Sequence, residues 1–235
     1  MPAPVVLRTL GVLALSGTIV ATVGAAIITE TFSSFPVGTC FPDGTRIGQW
    51  LFVFDGFGCV EASYANANTM LMERPAMAMS PGETHGSLVV GPSATGDVAV
   101  EASLLTMEQL RSGSAPNPWE VAWLLWHYTD NTSFYYFIPK PNGWELGKAD
   151  PAYPGAQRFL ATGTWPVFPV GTWHRVAVTQ VGQAIEVTVN GVLLTRVTDR
   201  ERTYTSGRVG LYTEDAESYF DDVWVTTAQR GKKGK

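Results

Sequence analysis

Trp173-His174-Arg175-Val176-Ala177-Val178 and Ile185-Glu186-Val187-Thr188-Val189-Asn190-Gly191 are the two stretches that decide the fold. In the first, Val176 and Val178 point one way and Arg175, Ala177 and Thr179 the other. In the second, Ile185, Val187 and Val189 share a face opposite Glu186, Thr188 and Asn190. A period of two with one apolar face is the mark of half-buried antiparallel strands. Asn190-Gly191 supplies a hairpin turn, because both residues tolerate positive φ.

The same grammar extends along the chain. Further strands are expected at Trp50–Phe54, Gly58–Ala62, Gly86–Val90, Val98–Leu105, Glu120–Thr129, Ser133–Pro139, Trp144–Leu146, Arg208–Thr213 and Tyr219–Thr226. Pro141-Asn142-Gly143 predicts another hairpin turn. No helical periodicity is sustained after residue 30; Thr106–Ser112 predicts at most one helical turn. The expectation is an all-β, two-sheet antiparallel sandwich. Glu120–Tyr128 carries bulk on both faces: Glu120, Ala122, Leu124, Trp126 and Tyr128 on one, Val121, Trp123, Leu125 and His127 on the other. It therefore reads as a central strand, with the core on one side and a groove or covering loop on the other.

Organisation follows from composition. In 235 residues, 45% are apolar and 16% charged, enough to fill a core. A net charge of −5 argues against nucleic acid as a partner, since phosphate binding requires a basic face. Arg8 is the only charged residue before Glu30, and Leu10–Ile28 is apolar with small residues near its end. Residues 1–28 thus read as an export segment, either a cleaved signal peptide or a signal anchor, with the remainder secreted or at the cell surface. Residues 29–228 form one domain, and 229–235 form a basic tail. The two cysteines, Cys40 and Cys59, are expected to pair as a disulfide in an exported chain.

The two opening stretches resemble the hairpin of laminin G-like domains. Gly207-Arg208-Val209-Gly210-Leu211-Tyr212 and Phe220-Asp221-Asp222-Val223-Trp224-Val225 look like the closing strands of the same concanavalin A-like lectin/glucanase superfamily. Bacterial secreted 3-keto-disaccharide hydrolase-like domains end similarly. In those domains a His often follows the strand at which Tyr212-Thr213 stand here. The resemblance implies a jelly roll in which the first strand, around Glu30-Thr31-Phe32, pairs with the last. It implies a glycan ligand on the concave sheet or its rim loops. It also implies a structural Ca²⁺ held by acids at the positions of Glu30 and Asp221, for which edge-strand charge is the competing explanation.

The chemistry legible in the residues is that of sugar recognition, which needs flat rings against C–H faces and polar groups for hydroxyls. Trp119, Trp126, Tyr128 and Trp144 offer rings; Glu120, His127, Lys140, Glu145, Lys148, Gln157 and Arg158 offer polar contacts. Burial of the tryptophans in the core is the plain alternative. Lys148 and Glu145 read equally as a surface ion pair. The segment 140–160 is either a ligand site or a brace. Glycoside cleavage needs paired carboxylates, for which Glu120 and Glu145 are the candidates. The E-x-D-x-x-E run of laminarinase-type relatives is missing, Glu214-Asp215-Ala216-Glu217 has another spacing and reads as a loop, and no G-x-S-x-G elbow occurs. The expected function is polysaccharide binding by a monomer. The alternatives are a glycoside hydrolase or lyase, and an adhesion module that binds protein.

Overall fold

The hairpin that opened the sequence reading is present in the computed structural model, which describes residues 26–227. Val189 pairs with Val192 across Asn190 (φ 51°) and Gly191 (φ 76°), a two-residue turn with both φ values positive. The export segment up to residue 25 and the basic tail lie outside the described residues. Among the described residues no helix is long and apolar enough to cross a membrane.

In chain order the strands are β1 (Ala26–Glu30), β2 (Arg46–Ile47), β3 (Trp50–Phe54), β4 (Cys59–Ala65), β5 (Asn68–Arg74), β6 (Gly86–Thr95), β7 (Val98–Gln109) and β8 (Ala122–Asp130). They continue as β9 (Ser133–Lys140), β10 (Gly143–Ala149), β11 (Gln157–Gly163), β12 (Trp173–Val181), β13 (Ala184–Val189), β14 (Val192–Thr198), β15 (Ser206–Glu214) and β16 (Ala216–Thr227). A 3₁₀ turn spans Pro154–Ala156.

They form two antiparallel sheets of eight strands each. The first runs β14-β13-β12-β7-β16-β5-β4, with β1 also on β16. Strand β16 is shared along its length: Ser218–Phe220 pair with β5, and Val223–Thr227 pair with β1. The first strand therefore does pair with the last. The second sheet runs β11-β10-β9-β8-β15-β6-β3-β2. The expected helical turn at Thr106–Ser112 is instead the end of β7, because Thr106 and Glu108 stay in register with Ser218 and Glu217 of β16.

The inward faces meet in one core. Val176 and Val178 of β12 and Ile185, Val187 and Val189 of β13 pack with Leu124, Trp126, Tyr135, Phe137 and Leu211 from the other sheet. Cys40 and Cys59 are joined in a disulfide across 19 residues, tying the loop after β1 to the start of β4. Closing a loop of that length stabilises the fold by about 3 kcal/mol.

The outer face of the second sheet is also apolar. Leu88, Val90, Trp123, Leu125, Tyr136 and Ile138 form a second cluster there. Strand β8 is central, between β9 and β15, as its two-sided bulk predicts. A bulge corrects the facing of its last residues. The register with β9 shifts between Trp126 and Asp130, and His127 takes a positive φ of 50°. Tyr128 is thereby turned to the outer cluster and not to the face of Trp126. His127 itself is buried, with neither ring nitrogen hydrogen-bonded, and burial lowers its pKa to about 4.

His127 therefore stays neutral in the fold and takes up a proton more readily in the unfolded chain. Stability should fall as pH drops from about 6.5 towards 4, by up to about 3 kcal/mol from this group. Urea titrations at pH 7 and pH 4.5 should show a smaller acid loss in His127→Asn, a residue that also tolerates positive φ. Equal losses in the two proteins would refute the assignment.

Candidate functional site

Strand alternation places a group of polar side chains at one end of the outer cluster. Glu145 starts β10 opposite Ile138 of β9, and Glu214 ends β15. Together with Trp119, Trp123, Lys140, Gln157 and Phe159 they line a cavity of about 400 Å³. Its walls include two aromatic rings left open to solvent: Trp119 is 42% and Phe159 57% exposed.

Its floor is wired by hydrogen bonds. Gln157 Nε2 donates to the Tyr136 hydroxyl (2.8 Å), which donates to Glu145 Oε1 (3.0 Å). Lys140 Nζ donates to Glu145 Oε2 (2.9 Å). Gly147 permits this arrangement, since a Cβ there would lie 2.3 Å from the Tyr136 hydroxyl. On the other side the Tyr212 hydroxyl donates to Glu214 Oε2 (3.1 Å). Burial pushes Glu214 up to about 6; the hydrogen bonds of Tyr212 and Trp119 oppose that rise, and the neighbouring Asp215 and Glu120 add to it. The site thus holds one ion-paired carboxyl group and one that keeps its proton into the mildly acidic range.

Behind the cavity, Arg111 holds the loops that shape it. Its Nε donates to Glu120 Oε1 (2.7 Å) and its Nη2 to Asp215 Oδ2 (2.7 Å). The same guanidinium donates to the carbonyls of Ser80 (2.7 Å) and Glu83 (2.9 Å). All three side chains are buried. Glu120 and Asp215 directly adjoin Trp119 and Glu214 in sequence, so this hub positions an aromatic wall and an acid together. The Trp123 indole secures Trp119 further by donating to its carbonyl (2.8 Å).

The residues singled out from sequence divide accordingly. Lys140, Glu145 and Gln157 meet in the cavity. Trp126 lies in the core, stacked on Tyr135 at 5.3 Å with its indole bonded to Gln180, and cannot reach a ligand. Trp144 is also core, donating to the Trp165 carbonyl. Tyr128 packs in the outer cluster and donates to Asn131. Glu120 is sealed behind the cavity by Arg111 and is no partner to Glu145 at a common opening.

Within residues 140–160, Gly143–Ala149 form β10 and the residues from Gln157 onward begin β11. There Lys148 is fully enclosed. Its Nζ donates to Asp199 Oδ2 (2.6 Å) and to the Glu201 and Arg202 carbonyls, over the ring of Tyr204. Arg158 joins Asp199 and Glu201. These two cations brace the 199–205 loop and face away from the cavity.

Glu30 and Asp221, the acids expected at a Ca²⁺ site, each accept hydrogen bonds from protein N–H groups. Glu30 accepts from the Thr31 and Phe32 amides and the Trp50 indole. Asp221 accepts from Asn68 and the Asp222 amide. Among the described residues the one group of ligand-type atoms is Cys40, Cys59 and Glu61, and its sulfurs are in the disulfide.

Glu214 and Phe159 are the contributors that sequence reasoning missed. The signal available for Glu214 was its position two residues after Tyr212, on the same strand face.

Comparisons with known proteins agree with this architecture. The family described as the 3-keto-alpha-glucoside-1,2-lyase-like domain matches residues 109–226, a span that contains every residue lining the cavity. No curated protein matches the sequence. Among solved structures, carbohydrate-binding module CBM66 from Bacillus subtilis superposes with a TM-score of 0.54 at 13% identity, covering 82% of this chain and 98% of its own. Domain 4 of AbnA, a GH43 extracellular arabinanase from Geobacillus stearothermophilus, gives 0.52 at 13%, covering 87% and 93%. The Crh5 transglycosylase gives 0.55 at 10%, covering 88% and 86%. At these identities the likeness is one of fold.

The Arg111 hub yields a direct expectation. Arg111→Met leaves two buried carboxylates facing each other without a cation, and should cost about 3–5 kcal/mol in urea denaturation at pH 7. Adding Glu120→Gln and Asp215→Asn should recover much of that loss. A single variant as stable as wild type would show that the hub does not hold the loops.

Proposed function

Because this chain belongs to the 3-keto-alpha-glucoside-1,2-lyase-like domain family, we propose that it binds a glycan, seating a sugar ring in the cavity between Trp119 and Phe159. The observation that carries this reading is the pairing of two solvent-open aromatic rings with an inward set of carboxyl, ammonium and amide groups. Pyranose rings present apolar C–H faces and a polar rim, and the cavity offers the complement of both. The disulfide supports a secreted or cell-surface setting, where such bonds persist.

A second reading, glycan cleavage, is favoured by one observation: the contrast between Glu145 and Glu214. A carboxyl that keeps its proton to about pH 6 beside an ion-paired one matches the division of labour in acid–base catalysis. In that case Glu214 hands its proton to the departing glycosidic oxygen as the C–O bond breaks. Glu145 takes the proton released from water in hydrolysis, or from a ring carbon in elimination.

A panel of soluble and insoluble polysaccharides, scored together for retention and for reducing or unsaturated ends, separates the two. Binding predicts retention without products, and Trp119→Ala should weaken it about tenfold or more while leaving Tm unchanged. Cleavage predicts products whose rate falls as pH rises above about 6, when Glu214 loses the proton it must donate, and whose formation Glu214→Gln abolishes. Absence of both retention and products would refute the glycan reading.

A further inference from the structure

A further aromatic ring stands open to solvent along the same sheet end. Phe57 is 88% exposed and sits at a positive φ of 63°. A bulky residue in that conformation is strained, and although the ring meets His85 edge-on at 5.8 Å, it contributes nothing to the core. Nor is it the tip of a loose loop. A Cβ on Gly56 would lie 2.2 Å from the Gly86 carbonyl oxygen, and one on Gly58 2.0 Å from that of Arg74. The loop is pressed against β5 and β6, and Phe57 is held out from a rigid base.

Phe57 flanks a hollow of about 280 Å³ that also takes in Asp43, Asp55 and His85. Asp43 Oδ1 accepts from the Asp55 amide and Asp55 Oδ1 from the Phe57 amide. Among the described residues no protein donor meets the second oxygen of either carboxylate. An open ring beside free acceptors repeats the chemistry of the cavity at Trp119 and Phe159.

The two places adjoin through contacting side chains and paired strands. Phe54 lines the Phe57 hollow and also a hollow of about 200 Å³ floored by Leu125 and Tyr212. Tyr212 touches Trp123 at 5.0 Å and donates to Glu214, both in the first cavity. Gly86 of the Phe57 hollow pairs directly with Glu214. From β11, which carries Phe159, to β3, which leads into the Phe57 loop, the sheet order takes six steps. At about 4.8 Å per step this is roughly 29 Å, longer than two linked sugar rings.

We infer that the ligand is an extended oligosaccharide lying across β11 to β3, with Phe57 as a distal platform for a sugar several rings from the one held between Trp119 and Phe159. This rests on the glycan reading of the first cavity and adds chain length as the recognised property.

Calorimetric titration of the full chain with maltose through maltohexaose and laminaribiose through laminarihexaose tests it. In the series that binds, affinity should rise about tenfold or more between disaccharide and hexasaccharide. Phe57→Asn, which tolerates the positive φ, should remove that rise while leaving disaccharide affinity unchanged and Tm no lower. Phe57→Tyr, which keeps the ring, should preserve it. Affinity independent of length, or a length dependence untouched by Phe57→Asn, would overturn the inference and leave the glycan reading standing. Binding of neither series by the wild type would overturn the inference together with its premise for glucans.

Discussion

The Arg111 guanidinium, enclosed with Glu120 and Asp215, is the constraint on which the site depends. Three loops approach the same end of the second sheet, and backbone hydrogen bonds already tie them to one another, as from Ser112 to Ala78 and from Leu110 to Asp215. One cation satisfies a carboxylate from each of two of them and two carbonyls from the third. Removing three charged groups from water is costly, and such a cluster is weak evidence for stability as such. What it contributes here is placement. Trp119 and Glu214 each stand one residue from a carboxylate that Arg111 holds.

The sheet beneath supplies the other half of that rigidity. Its outer face is nearly as apolar as its inner one, and Tyr136 and Tyr212 lie flat on it because Gly147 and Gly86 leave room for their hydroxyl ends. Each of those hydroxyls then reaches a carboxyl group, Tyr136 to Glu145 and Tyr212 to Glu214. The apolar bed thus fixes the acids through its own polar tips. Burial against the bed also raises Glu214, against the opposing hydrogen bond from Tyr212.

How far the sequence was readable depended on whether the information was local. The β12–β13 hairpin, the Asn190-Gly191 turn and the central position of β8 follow from alternation, and the structure shows them as read. Strand β5 escaped because Met70, Met72 and Glu73 obscure the pattern; Glu73 is buried, and burial pushes it well above the carboxylate range. The site was only partly visible for a related reason. Lys140 and Glu145 are hairpin neighbours and could be guessed together, but Glu120 and Glu214 exchange roles only once Arg111 is placed between the loops. Lys148 and Arg158 looked like ligand contacts because their partners, Asp199 and Glu201, are some forty to fifty residues away in sequence.

The same reasoning would account for the proposed glycan recognition being set at strand ends and spread across the sheet from β11 to β3. A flat apolar sheet face can stack sugar rings but cannot orient them, and loops alone can orient but lose entropy on closing around a ligand. Here the polar groups emerge where strands meet loops, and the loops are fixed by an ion cluster at one point and by close glycine packing at another. Ordering has been completed in folding, so little of it remains to be done on binding. A row of such fixed points suits a ligand that is itself long, stiff and repetitive better than one confined to a single cavity.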